Sequence, residues 1–177
     1  VITGGLAVEK TNQVAMRGNP LKLVGSMPGV GDKAPYFTAL RNDLSPADLS
    51  DFKDRVCIIS SVPSLDTPVC DLETRRFNQE AVDLGDDVAV ITISMDLPFA
   101  QKRWCAAAGI DKVITLSDHR DASFGQAYGV LIKELRLLAR CIFIVDKGGI
   151  IRYIQLVKEI ADEPDYGSVI KAAREMI

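Results

Sequence analysis

Cys70 stands three residues after Thr67, in the stretch SVPSLDTPVCDLETRRF that runs from Ser61 to Phe77. Thr67 suits a helix N-cap, and Pro68 suits the first helical position, where a missing N–H is harmless. The pattern therefore predicts a helix from Pro68 with Cys70 in its first turn. Cys70, Thr74, Phe77, Ala81 and Leu84 fall on one stripe of that helix. Asp71 and Glu73 supply the negative charge that a helix start favours. Cys70 thus opens the inward face, among backbone N–H groups that lack helical partners. Such a place favours a thiolate, since helix N-termini can move a cysteine from a pKa of about 8.5 to about 3.5–7.5. The chemistry expected is nucleophilic attack by sulfur. Lower basicity also costs nucleophilicity, so a catalyst here must stabilise its transition state as well. The plainer reading, a small core residue at a helix start, is opposed by Pro63, Thr67 and Pro68, which specify a tight loop-to-helix junction.

Three more cysteines accompany it, Cys57, Cys105 and Cys141, with a single histidine, His119, and no C-x-x-C pair. That set has no zinc-ligand spacing, and a chain of 177 residues needs no disulfide staples. Reactive thiols or small buried hydrophobes remain. Cys57 (RVCII) and Cys141 (RCIFIV) lie in apolar β runs, where a buried, inert thiol is expected. Cys105 differs. A helix starting near Asp96 or Leu97, before Pro98, puts Ala100, Trp104 and Ala107 or Ala108 on its apolar face. Cys105 then falls to the side, near Gln101 and Lys102, without deep burial. His119, among Asp118, Arg120 and Asp121, reads as a solvated loop residue. Asp43, Asp48, Asp51 and Asp54 lack a metal-site spacing, and Gly148-Gly149 is a turn rather than a phosphate loop. No cofactor and no metal are expected.

The elements that must position these residues alternate. VAMRGNPLKL (14–23) reads as a hairpin around Gly18-Asn19-Pro20, and a short strand is expected at Tyr36–Leu40. Strands follow at Asp54–Ser60, Asp87–Met95 and Val113–Leu116, with helices after Thr67, near Pro98 and over Ala122–Tyr128. CIFIV and IIRYIQLV flank Asp146-Lys147-Gly148-Gly149 as a second hairpin, and a helix closes the chain from about Tyr166 to Met176. The sum is one α/β domain, a mixed sheet with helices on both faces. A net charge of −3 offers no general basic field for nucleic acid or anionic lipid, and no apolar run approaches the ~20 residues of a membrane span. The start VITGGLAVEK lacks the charged-then-apolar pattern of a secretory signal. A cytoplasmic location is expected, with the periplasm left open.

Pro63-Ser64-Leu65-Asp66-Thr67-Pro68-Val69-Cys70 resembles the P-x-x-x-T-x-x-C signature of peroxiredoxins. The longer text PSLDTPVCDLETRRFN is similar to the bacterial thiol peroxidases, atypical two-cysteine members of that family. GNPLKLVG, DLPFAQKRWC, VITLSDHR, QAYGV and EPDYGS extend the likeness in order. It covers residues 13–177 as one domain and leaves 1–12 as an N-terminal extension. The resemblance implies a thioredoxin-like mixed sheet flanked by helices, with an added N-terminal β-hairpin. It also implies reduction of hydroperoxides, both alkyl hydroperoxides and hydrogen peroxide, in antioxidant defence. Cys70 would be the peroxidatic cysteine, oxidised to a sulfenic acid. The Thr67 hydroxyl would bond at the reacting centre, and Pro63 would shape the pocket and shield the sulfur. Arg140, in LLARCIF, would hold thiolate and peroxide oxygens; the alternative is a strand-end arginine reaching for solvent. Arg75 and Arg76 read as helix surface, although either could border the pocket.

By the same resemblance Cys105 would resolve the sulfenic acid, giving an intrachain Cys70–Cys105 disulfide recycled by thioredoxin. A homodimer is also implied. The two cysteines belong to different helices, and a disulfide needs Cα atoms within about 7 Å. Local unwinding around 67–75 and 97–108 is therefore expected. Two other functions fit the same fold: a general thiol–disulfide oxidoreductase, against which the missing C-x-x-C counts, and a redox-sensing module using Cys70 as a switch.

Overall fold

The computed structural model describes residues 9–177. Strands β1 (Glu9–Met16) and β2 (Asn19–Val24) form the first hairpin, with Met16 opposite Asn19. Its turn is Arg17–Gly18, both with positive φ (51° and 77°), the twist that two-residue hairpins favour. The turn expected at Gly18-Asn19-Pro20 is thus displaced: Asn19 and Pro20 already belong to β2. β1 begins at Glu9, inside the stretch 1–12 set apart by the resemblance.

Strands β3 (Ala39–Leu40) and β4 (Pro46–Ala47) are short, and β3 takes up only the end of the strand expected at Tyr36–Leu40. Next come β5 (Val56–Ser61), α1 (Pro68–Leu84), β6 (Val88–Ser94), α2 (Pro98–Ala108), β7 (Ile114–Ser117) and α3 (Ser123–Ala127). The chain ends with β8 (Leu131–Ile132), β9 (Leu137–Leu138), β10 (Cys141–Val145), β11 (Ile151–Leu156) and α4 (Tyr166–Arg174). A seven-stranded sheet runs β11-β10-β5-β6-β7-β3-β4, and a four-stranded sheet runs β1-β2-β8-β9. β5, β6 and β7 are parallel, with Val56 opposite Val88 and Ile91 opposite Ile114. β10 returns antiparallel to β5. This is a mixed α/β, thioredoxin-like fold with a separate hairpin sheet.

Every residue of β5 and β10 is buried, as fully covered strands require. Alternation sends Val56, Ile58, Ile142 and Ile144 to one face, against Phe77 and Leu84 of α1 and Val169 and Ala173 of α4. Cys57, Ile59, Cys141 and Phe143 go to the other face, which α3 and the small sheet cover. There Phe124 stacks on Tyr128 at 4.3 Å, and Phe143 meets Tyr128 edge-on at 5.0 Å. The second face is therefore covered as much by strands as by helix. Among the described residues no helix is long and apolar enough to cross a membrane.

Candidate active site

The site lies at the C-terminal end of β5. After Ser61 the backbone leaves the sheet, with Val62 N–H donating to Ile93 O at 3.0 Å, and turns through Pro63–Asp66 into α1. Asp96, just beyond β6, fixes that turn. Its carboxylate accepts from Ser64 Oγ (2.7 Å), from Leu65 N–H (2.8 Å) and from Ser94 Oγ (2.7 Å). Pro63 is buried within the turn. Thr67 occupies the N-cap position, but its hydroxyl does not cap the helix. It donates to Ser64 O at 2.9 Å instead. With its one proton committed, Oγ1 can only accept from anything else that reaches it.

Cys70 is fully buried at the start of α1, in a small cluster with Val62, Leu65 and the partly buried Trp104. The predicted stripe holds: Cys70, Thr74, Phe77 and Leu84 face inward, with Ala81 half-buried. Glu73 faces inward as well and is fully buried. Its acidic character looked like helix-end compensation in the sequence; its offset of three from Cys70, the next position round the same helix face, was the signal available.

Arg140 comes from the segment just before β10 and is 1% exposed. Ser61 Oγ donates to one flanking carbonyl, Ala139 O (2.7 Å), and lies 3.3 Å from the other, Cys141 O. Arg140 O accepts from Val157 N–H at 3.0 Å. So fixed, the guanidinium meets three groups: Nη1 donates to the Glu73 carboxylate, and Nη2 donates to Cys70 Sγ at 3.2 Å and to Ile160 O at 3.0 Å. Nε is buried with no partner among the described residues. The solvent-seeking strand-end arginine is excluded by this burial. Glu73 is held from its other side by Ser60 Oγ at 2.6 Å. Burial pushes the Glu73 carboxyl up, against the pull of Arg140 and Ser60. Burial opposes charge on Arg140 too, but Glu73 and Cys70 beside it outweigh that and keep the guanidinium firmly protonated.

An ion pair buried this deeply contributes little net stability, because desolvation costs about as much as attraction returns. Its evident effect is positional: a guanidinium anchored at one end by Glu73 presents its other nitrogen to sulfur.

Cys105 lies elsewhere. On α2 the buried positions are Pro98 and Gln101, with Cys105 one turn beyond Gln101 and half-buried. Ala107, assigned to the apolar face in the alternative, is exposed, while Ala108 is half-buried. Gln101 makes the anchor, its Nε2 donating to Leu116 O (2.9 Å) and Ser94 Oγ (3.0 Å). Cys105 Sγ sits 3.5 Å from Thr115 Oγ1 on β7, and burial pushes its thiol up against the opposing pull of Thr115. All four cysteines are free thiols. Cys57 and Cys141 face the opposite side of the sheet from α1. Burial raises Cys57 to about 11 and Cys141 further. His119 is partly buried in the loop after β7. Arg75 and Arg76 are exposed and pair with Asp71 (2.9 Å) and Glu80 (3.0 Å).

The redoxin family model matches residues 29–170. A thiol peroxidase of Bacillus subtilis is 56% identical over 165 residues, covering 93% of this chain and 98% of its own. One of Halalkalibacterium halodurans is 56% identical over 161 residues, covering 91% and 96%. Among solved structures, a peroxiredoxin-like protein from Aquifex aeolicus superposes with a TM-score of 0.88 at 43% identity, covering 98% of this chain and all of its own.

Proposed function

The chain belongs to the thiol peroxidases, peroxiredoxin enzymes with a redoxin domain that reduce peroxides through a cysteine, and we propose that its reaction runs from Cys70 to Cys105. The Cys70 thiolate attacks the terminal oxygen of a hydroperoxide. The O–O bond breaks, sulfur takes the hydroxyl as a sulfenic acid, and the departing alkoxide or hydroxide takes up a proton from water. The contact of Arg140 Nη2 with Cys70 Sγ at 3.2 Å carries this reading. The same guanidinium meets negative charge as it moves from sulfur to oxygen. Thr67 Oγ1, able only to accept, takes the hydrogen bond of the peroxide O–H and so orients its far oxygen. Pro63, buried and lacking an N–H, keeps the turn dry and shaped around the sulfur.

Cys105 then condenses with the sulfenic acid, releasing water and forming the intrachain disulfide. A dithiol protein, thioredoxin in the first instance, reduces that disulfide and closes the cycle. Alkyl hydroperoxides and hydrogen peroxide are the substrates, and the buried apolar side chains of Val62 and Leu65 suit an alkyl tail. The setting is antioxidant defence in the cytoplasm, where a reducing pool maintains the recycling dithiol. The working unit is a homodimer of the domain 13–177, whose interface would cover side chains such as Tyr36 and Phe99, 76% and 64% exposed here.

Peroxide turnover with thioredoxin, for wild type, Cys70→Ser and Cys105→Ser, tests the cycle. Cys70→Ser has no turnover. Cys105→Ser forms the sulfenic acid once per chain and is not recycled. Equal steady-state rates in all three proteins would remove the mechanism.

A further inference from the structure

The residue after Cys70 is bonded to the residue before Cys105. Trp104 Nε1 donates to Asp71 Oδ1 at 2.9 Å. Arg75 Nε donates to Asp71 Oδ2 at 2.9 Å, its guanidinium lies 5.8 Å from the centre of the Trp104 ring, and its Nη1 donates to Ala108 O at 3.2 Å. Three side chains thus tie the first turns of α1 to the last turns of α2. Successive helical residues point about 100° apart, so the tie that joins the neighbours turns the two sulfurs away from each other. Cys70 faces Arg140, and Cys105 faces Thr115. A disulfide between them needs Cα atoms within about 7 Å and both Cβ atoms directed inward. The tie also packs Trp104 against the small cluster that holds Cys70 with Val62 and Leu65.

We propose that Asp71, Trp104 and Arg75 form a latch whose opening limits the second step, in which the Cys70 sulfenic acid and the Cys105 thiol give disulfide and water. These are positioning residues: they act on the sulfurs through the helices and touch no reacting oxygen. The inference rests on the Cys70-to-Cys105 cycle. Its consequence is a partition. While the latch is closed, the sulfenic acid is exposed to a second peroxide, which would carry it to the sulfinic acid with release of another alcohol or water. A weaker latch favours disulfide over sulfinic acid.

Trp104 is the only tryptophan of the chain, so its emission reports the latch directly. In rapid mixing of reduced wild type with hydroperoxide, the emission changes together with the disulfide counted by mass in acid-quenched samples. It stays unchanged in Cys105→Ser, which can form no disulfide. Trp104→Phe keeps a ring against that cluster but lacks the N–H. It is expected to form sulfenic acid at the wild-type rate within about twofold, and disulfide about three- to tenfold faster, given the net strength of a typical protein hydrogen bond. Its sulfinic acid yield per turnover falls by a similar factor. Asp71→Asn, which retains an acceptor for the indole but loses the charge facing Arg75, lies between the two. Disulfide formation in folded Trp104→Phe at or below the wild-type rate would overturn the latch, as would wild-type emission that ignores the disulfide. If wild type forms no Cys70–Cys105 bond at all, the cycle itself fails, and that result is distinct from a normal disulfide formed at an unaltered rate.

Discussion

Arg140 sits in a compartment where both terminal nitrogens of its guanidinium have partners and Nε has none among the described residues. A lysine can offer only a compact point charge from the same place, with no fork to span Glu73, Cys70 and Ile160 at once. Arg140→Lys is expected to slow sulfenic acid formation by about 10²-fold, the usual scale for losing one positioned donor, in single-turnover measurements. Removing one partner of a buried pair leaves the other charge stranded, which costs about 3–5 kcal/mol. Arg140→Met and Glu73→Gln, each of which strands the opposite charge, should therefore both lower stability by that order in urea unfolding. Cys70 was legible from its N-cap, its proline and its stripe, and Arg140 from the resemblance. Glu73 was not, because an acid near a helix start looks solvated until the strand beneath it is known to carry Ser60.

Between the residues and the molecule stand the elements that hold them. Asp96 links the turn before α1 to the start of α2, so its three accepted bonds bear on both cysteines. Asp96→Ala leaves Leu65 N–H and Ser64 Oγ unpaired and is expected to cost about 1–3 kcal/mol, with slower peroxide reaction at Cys70; chemical unfolding and stopped-flow kinetics check the two effects separately. Asp118 holds the start of α3, accepting from Phe124 N–H (3.0 Å) and Gly125 N–H (2.8 Å). Burial raises its carboxyl to about 6, outweighing those bonds. The folded state then binds a proton that the unfolded chain has released, so this group's contribution falls as pH rises from about 4 to about 6. Exposed Asp43, Glu159 and Asp165, lowered by hydrogen bonds, act in the opposite sense, which calls for a difference measurement. Relative to Asp118→Asn, wild type should lose about 1–3 kcal/mol of stability between pH 4 and pH 7, read from urea midpoints at the two values. An unchanged difference would remove Asp118 as the source. The long elements were visible as periodic runs, but β3, β4, β8 and β9 have two residues each, too few for any period to show.

At the scale of the whole molecule the hairpin sheet and the site are connected. Ala15 O accepts from Ile160 N–H at 3.0 Å, and Glu159 accepts from Arg17 and Gly18 N–H at 3.0 and 3.1 Å. The loop thus held gives its Ile160 carbonyl to Arg140. That path joins distant parts of the chain and has no local sequence signature, so only the folded molecule reveals it. On oxidation, hydrogen exchange should rise around 67–75 and 97–108, where α1 and α2 must loosen, and stay level in β5, β6 and β10; uniform protection in both redox states would contradict the coupling. The most direct test of the chemistry uses reduced Cys105→Ser protein, one equivalent of a hydroperoxide, and peptide mass mapping. A sulfur held by Arg140 and attacking the peroxide from that place predicts one added oxygen on the peptide carrying Cys70, with Cys57 and Cys141 untouched. Oxygen on another cysteine, or none on Cys70, would contradict it.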